Sequence, residues 1–220
     1  MNHAPLFAVY GASGCGRSVM PIARSQLQRQ GIPATQLVFV DDRPEAAVVN
    51  AQRVLRYEEF LEAPASTRHA VLAIADSEIR RQLADRCRTG GVQPWTLIAA
   101  NVVVMDEVTM GEGAILSPFV TLGSNVRIGR HFHANLYSYV EHDCLIGDFV
   151  TFAPGVKCNG NVVVEDHAYL GTGAIIKQGK PGQPLVIGRG AVIGMGAVVT
   201  RHVPAGTTVA GNPARPLIKG

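Results

Sequence analysis

Residues 116–146 read LSPFVTLGSNVRIGRHFHANLYSYVEHDCLI, and every sixth position is apolar: Leu116, Leu122, Ile128, Ala134, Val140 and Ile146. A second residue, apolar or small, follows each by four: Val120, Val126, Phe132, Ser138, Cys144 and Val150. The beat runs back through Met110 and Val104 to Ile98, and forward through Phe152, Cys158, Val164 and Leu170 to Ile176. Eleven residues then separate Ile176 from Ile187 where six would keep time, and the beat resumes at Ile187, Ile193 and Val199. A helix repeats every 3.6 residues and a half-buried strand every two, so neither explains a period of six. A turning β-solenoid does: each hexad supplies a short strand and a corner, and stacked coils share one core. Gly and Asn are expected at the corners, where they relieve the backbone. The competing reading is a β-sandwich, whose strands are spaced more loosely than this.

The chain has 220 residues, 47% hydrophobic and 17% charged, with a net charge of +3. These values suit a soluble protein of one or two domains and give no strong attraction to nucleic acid or membrane. No apolar run approaches the length of a membrane span. Residues Met1–Pro5 lack the basic and apolar stretches of a signal peptide. The cysteines, Cys15, Cys87, Cys144 and Cys158, form no C-x-x-C pair, and two fall on core positions of the repeat. Buried thiols in a reducing cytoplasm are the simple expectation.

The N-terminal third breaks the beat. Leu6–Tyr10 is an apolar run typical of a buried parallel strand. Gly11-Ala-Ser-Gly-Cys-Gly16 follows, then a helical pattern through Gly31 with Val19, Ile22, Ala23 and Leu27 near one face. Pro21 is expected in the first turns of that helix, where it is tolerated. A second strand is expected at Gln36–Val40, ending in Asp41-Asp42, and a third at His69–Ala75, leading through Asp76 into a helix with Ile79, Leu83 and Cys87. The expectation is therefore a small α/β, Rossmann-like domain over 1–95 and an all-β parallel solenoid over 96–220. Ligands of the first domain should gather at the carboxyl ends of its strands. The glycine-rich turn suits phosphate, because it exposes backbone N–H groups beside a helix N-terminus. An acid after the second strand can bind ribose hydroxyls or a base edge. Tight-turn and solvated-turn readings of the two features stay open.

One segment of the solenoid goes beyond core and corner: Asn135-Leu-Tyr-Ser-Tyr-Val-Glu-His-Asp-Cys144. His142 falls outside the coil, where the core has no use for it, and flanking carboxylates can orient its imidazole and raise its basicity. His131 and His133 alternate along a strand and so could share a face toward a metal. No two histidines have the spacing of solenoid zinc enzymes, so no catalytic metal is expected. His167 and His202 read as exposed turn residues, and His3 and His69 as lacking partners.

Residues 98–213 resemble the left-handed β-helix acyltransferases with hexapeptide repeats, down to the ending Ala210-Gly-Asn-Pro-Ala-Arg-Pro216. The whole chain resembles the subfamily that makes N-acetylated nucleotide sugars, with the bacillosamine-pathway N-acetyltransferases and related sialic-acid O-acetyltransferases. The motifs that carry this are Tyr10–Gly16, Val40-Asp-Asp42, Ala73–Arg80, Val140–Phe149 and Lys157-Cys-Asn-Gly-Asn161. The resemblance implies a cytoplasmic acetyl-CoA-dependent N-acetyltransferase of bacterial surface-glycan biosynthesis, a homotrimer with active sites between subunits. It implies a nucleotide sugar held by Ser13, Gly14 and Cys15 near phosphate, Asp41 and Asp42 near the nucleoside, and Ala75 where the family usually has glycine. It makes His142 the base, Asp143 the acid that tunes it, and Asn135 a contact to the acceptor sugar. Gly160 falls where a backbone N–H meets the thioester carbonyl, and Thr151, Thr172 and Met195 fall along the acetyl-CoA path. Cys15 replaces a histidine common in this turn, and Thr151 stands where some relatives have histidine. The extra residues at Lys177–Pro184 read equally as a loop over the coenzyme phosphates, with Lys177 and Lys180, or as a tolerated bulge. A hydroxyl acceptor, a non-catalytic trimeric scaffold and, last, a nicotinamide oxidoreductase are the rivals.

Overall fold

The computed structural model describes residues 3–217; residues 1–2 and 218–220, the outermost parts of the two expected domains, lie outside them. The chain divides into two compact units, with the break between Ala100 and Asn101.

The first unit is built on a sheet of order β3-β4-β2-β1-β5-β6. Its elements are β1 (Leu6–Tyr10), α1 (Gly14–Arg29), β2 (Leu37–Val40), β3 (Val48–Val49), β4 (Gln52–Leu55), α2 (Tyr57–Glu62), β5 (Arg68–Leu72), α3 (Ser77–Thr89) and β6 (Gln93–Pro94). β1 pairs in parallel with β2 on one side and β5 on the other. All five of its residues are buried, which is why it reads as an unbroken apolar run. The chain order reverses between β2 and β5, so the crevice at the carboxyl ends of β1 and its neighbours is the ligand position of this architecture.

Four expectations for this unit are corrected. Pro21 lies in the middle of α1. It is exposed there, so the carbonyl that loses its N–H partner faces solvent. β2 starts at Leu37, after a 3-10 turn over Ala34–Gln36, and β5 ends at Leu72, because the chain beyond it must turn to meet α3. His69 is partnered: it stacks on Phe7 with ring centroids 4.8 Å apart and meets Thr67 Oγ1 at 3.0 Å.

The second unit is a left-handed parallel β-helix of three faces. One carries Ile115–Leu116, His133–Ala134, Thr151–Phe152, Tyr169–Leu170 and Val192–Ile193. The second carries Val103–Val104, Thr121–Leu122, Tyr139–Val140, Lys157–Cys158, Ile175–Ile176 and Val198–Val199. The third carries Thr109–Met110, Arg127–Ile128, Leu145–Ile146, Val162–Val164 and Leu185–Ile187. Residues eighteen apart pair in register, as Ile115 with His133 and His133 with Thr151. The hexad residues from Leu116 to Ile176 are buried, as are their i+4 companions from Ala114 to Ala174. Val104 remains exposed.

The corners depart from expectation. Every sixth residue has a left-handed backbone, and most of these residues are not glycine: Glu107, Phe119, Asn125, His131, Tyr137, Asp143, Phe149, Asn161 and His167 all have φ between 53° and 65°. The ladder of neighbouring coils holds a conformation that costs an ordinary residue roughly 1–2 kcal/mol. Glycine is required elsewhere for a different reason. A side chain on Gly123 would press on the backbone of Glu141 and His142 in the next coil.

These corners form three columns. The Asp143 corner joins the second face to the third and holds Glu107, Asn125, Asp143 and Asn161. The Phe149 corner holds Gly113, His131, Phe149 and His167. The Tyr137 corner holds Phe119, Tyr137, Gly155, Gly173 and Gly196. The extra residues 177–184 emerge between Ile176 and Leu185, at the Asp143 corner.

Candidate active site

His142 is the residue just before the left-handed turn at Asp143, so its side chain leaves the coil rather than entering the core. The side chain is 55% exposed, and its Nδ1 meets Asp143 Oδ2 at 2.8 Å. The other carboxylate oxygen accepts from Asn125 Nδ2 at 3.3 Å, one coil away. The hydrogen bond to Asp143 raises the His142 pKa above its ordinary value, with the charges of Asp143 and Glu141 adding to it. The same bond, helped by Asn125, keeps the Asp143 carboxyl below the usual range. Nδ1 is thereby the nitrogen that carries the proton toward Asp143, and Nε2 of the neutral ring keeps its lone pair.

The imidazole lies against Gly160 in the following coil. A side chain at that position would strike Cε1 and Nε2 of His142, so anything larger than glycine would push the ring from this place. Cys144 and Cys158 are fully buried just inside. The bond shared with Cys144, together with burial, pushes the Cys158 thiol well up. Asn135 sits half-buried near the Tyr137 corner, its Nδ2 donating to Phe152 O at 2.8 Å.

The positions expected along the acetyl-CoA path do not come together within one chain. Gly160 shares the Asp143 corner with His142. Thr172 and Met195 are exposed at the Tyr137 corner, where Gly196 N donates to Thr172 O at 2.8 Å. Thr151 is buried, with its strand paired between those of His133 and Tyr169. Met195 is 81% exposed, and several coils away along the same corner Phe119 and Tyr137 stack with centroids 4.8 Å apart while remaining exposed.

In the first unit, Ser13 is the N-cap of α1 without a side-chain capping bond. The three glycines of the turn separate by cause. Gly11 has φ 103°, and a side chain there would press on Ile74 and Ala73, while one on Gly16 would collide with the Gly11 carbonyl. Gly14 has open space around it, so packing does not require it. Asp41 staples this turn to the end of β2: its Oδ2 accepts from Ala12 N and its Oδ1 from Arg43 N, each at 3.0 Å. Asp42 Oδ1 accepts from the Tyr10 hydroxyl at 2.8 Å, and Arg86 Nη1 donates to both Asp42 oxygens, at 2.9 Å to Oδ1 and 3.0 Å to Oδ2. Arg86 also donates to Glu58 at 2.8 Å and lies 4.1 Å from the Tyr57 ring centre. Burial and Asp42 together raise the Tyr10 pKa.

Ala75 is exposed beyond β5, and its carbonyl, with that of Ile74, accepts from the buried Arg80 guanidinium at 3.2 and 2.7 Å. Burial lowers the Arg80 pKa to about 10. Cys15 is half-buried, and burial raises its thiol while Arg80 opposes the shift. Arg80 and Arg86 were not singled out from the sequence. Their spacing along α3 matches the acids and carbonyls only once the strand ends are side by side.

The remaining histidines do not make a metal centre. His131 and His133 are both buried, and His131 lies on the corner rather than in the strand. His131, Phe149 and His167 stack in a column, with centroids 5.0 and 5.3 Å apart. His167 is therefore a stacking residue rather than an idle turn residue. His202 is exposed, and its Nδ1 accepts from Val186 N at 3.0 Å. No group of three His, Cys, Asp or Glu side chains suited to a metal ion occurs among the described residues.

Comparison with known proteins gives this geometry its context. Residues 7–87 match the family model of the PglD N-terminal domain. The chain is 52% identical over 212 residues to a GDP-perosamine N-acetyltransferase of Escherichia coli O157:H7, covering 96% of each. Among solved structures it is similar to WeeI from Acinetobacter baumannii AYE, with 52% identity, a TM-score of 0.95, and coverage of 97% of this chain and 100% of that one. It is also similar to the acetyltransferase domain of PglB from Neisseria gonorrhoeae FA1090 in complex with acetyl coenzyme A, with 28% identity, a TM-score of 0.84, and coverage of 99% and 100%.

Proposed function

Because this chain belongs to the family of GDP-perosamine N-acetyltransferases, and so transfers acetyl from acetyl-CoA to the amine of a nucleotide-linked amino sugar, we propose that its acceptor is GDP-perosamine and its base is His142. The observation that carries the assignment of the base is the pairing of an outward imidazole with Asp143 at 2.8 Å while the ring rests on Gly160.

The sugar amine attacks the thioester carbonyl, and His142 Nε2 takes the amine proton. Asp143 stabilises the imidazolium that forms. The Gly160 N–H donates to the developing oxyanion, and the thiolate of CoA leaves with the proton that His142 returns. No acyl-cysteine is needed, since Cys144 and Cys158 are buried and Cys158 is held as a thiol. Ser13, Gly14 and Cys15 hold the diphosphate at the α1 N-terminus. Asp41, Asp42 and Ala75 shape the nucleoside end, and Asn135 meets the acceptor.

The separation of Gly160 from Thr172 and Met195 on different corners supports a homotrimer in which the Tyr137 corner of one subunit faces the Asp143 corner of the next. The exposed Phe119–Tyr137 stack and, further along the same corner, the exposed Met195 support the same arrangement, since apolar side chains in such places are ordinarily covered.

Thiol release from acetyl-CoA tests the reading, with GDP-perosamine, UDP-linked amino sugars and sialic acid as acceptors. Release with GDP-perosamine, lost in His142→Ala, is expected. Release with sialic acid alone would overturn the amine acceptor, and full turnover by His142→Ala would overturn the base.

A further inference from the structure

The Asn159–Gly160 peptide is tied down on every side but one. Asn159 N and Nδ2 both donate to Ile176 O, at 3.3 and 2.8 Å. The Tyr139 hydroxyl donates to Asn159 Oδ1 at 3.0 Å. The Asn159 carbonyl accepts from Cys144 Sγ at 3.3 Å and more distantly from Cys158 Sγ at 3.9 Å. The Gly160 carbonyl accepts from Gly179 N at 3.0 Å. Gly179 belongs to the extra residues 177–184, and a side chain there would collide with Asn161 O. Among the described residues, the Gly160 N–H is the polar group of this segment that donates to no protein atom.

The orientation follows from covalent geometry. Both thiols are fully buried, so the Asn159 carbonyl points into the coil. In a trans peptide the N–H points opposite to the C=O. The Gly160 N–H therefore points outward, on the corner it shares with the His142 ring. A rotation of this peptide would break the thiol contacts and strain the Asn159 side-chain bonds together.

We propose that Asn159, braced by Tyr139, is a positioning residue for acyl transfer, fixing the peptide plane that aims the Gly160 N–H, with the extra residues 177–184 closing the clamp through Gly179. This rests on Gly160 being the oxyanion donor. It gives the insertion a task beside His142 that requires neither Lys177 nor Lys180. Asn159 and Tyr139 spend their side-chain bonds on each other and on Ile176 O, and act on the chemistry only through the Gly160 peptide. Their effect is carried by a bond that strengthens in the transition state, so it falls on kcat rather than on KM.

The test is steady-state kinetics of Asn159→Ala and Tyr139→Phe, with melting curves, pH profiles and a crystal structure of the wild-type acetyl-CoA complex. Losing an oxyanion donor outright costs about 10²–10³-fold in kcat, so a misaimed one should cost about tenfold or more in Asn159→Ala and about threefold in Tyr139→Phe. KM for both substrates should stay within about twofold, and the pH profile should not move, because His142 and Asp143 are untouched. Tyr139→Phe removes a single hydroxyl and serves if Asn159→Ala does not fold. Unchanged kcat in both variants, with Gly160 N bonded to the thioester oxygen in the complex, would overturn the positioning role alone. A complex in which Gly160 N does not meet that oxygen would instead overturn the donor on which the proposal stands.

Discussion

Two corner columns of the same solenoid adopt one backbone and serve different ends. Asp143 and Phe149 have φ of 57° and 58°, one hexad apart. At Phe149 the column His131–Phe149–His167 turns the strained position into a stack of rings, with Phe149 itself buried. At Asp143 the side chains stay exposed and bond sideways, Asn125 to Asp143 and Asp143 to His142. The stacking of coils fixes the backbone, so the side chain at a corner is free to be spent on packing or on chemistry. Aspartate tolerates φ > 0 better than phenylalanine, which makes Asp143 the less strained of the two residues.

The contrast breaks most visibly at His142. His142→Ala should lower kcat about 10²–10⁴-fold with no change in melting temperature, since nothing in the core depends on the ring. A variant that loses both activity and stability would show that the Asp143 corner is structural as well. Phe149→Ala should do the reverse, costing about 3 kcal/mol of stability with kcat intact where the protein is folded. Phe149→Gly sharpens this: glycine relieves the left-handed backbone, so it should be roughly 1 kcal/mol more stable than the alanine variant in chemical denaturation.

Asp143→Asn should lower kcat about tenfold and move the acid limb of the kcat/KM profile to lower pH. The sign follows from the bond: Asp143 raises the His142 pKa, the base works only when neutral, and removing the charge lets the imidazole lose its proton sooner. An acid limb that stays in place would detach Asp143 from the base. Smallest of all, Asp148→Asn breaks the exposed pair with Arg130 beside the Phe149 corner, at 2.7 Å, and should cost less than about 1 kcal/mol.

The repeat made the solenoid legible, because a buried residue every sixth position leaves a pattern no other architecture matches. His142 was legible for the same reason, as a side chain with no place in the pattern. The partners of His142 in neighbouring coils were less so. Asn125 and Asp143 are eighteen residues apart, one full coil, and the six-residue beat does not by itself say which hexads lie on top of one another. Tyr139 and Asn159 are twenty apart and meet diagonally. In the first unit, the role of Asp42 depended on Arg86, which only the packing of α3 brings to the end of β2. The mid-helix Pro21 was misplaced because a propensity rule assumes that a lost hydrogen bond matters, and on an exposed face water replaces it.

The pairing of strands eighteen residues apart gives this molecule a quantum of length. Adding or removing a few residues within a strand would rotate every later side chain off its face, whereas residues added at a corner, as at 177–184, leave the phase unchanged. Whole coils are therefore the natural unit in which such a chain grows or shrinks over generations. Lineages of this fold can drift in height by eighteen residues at a time while the chemistry on any one corner is inherited intact.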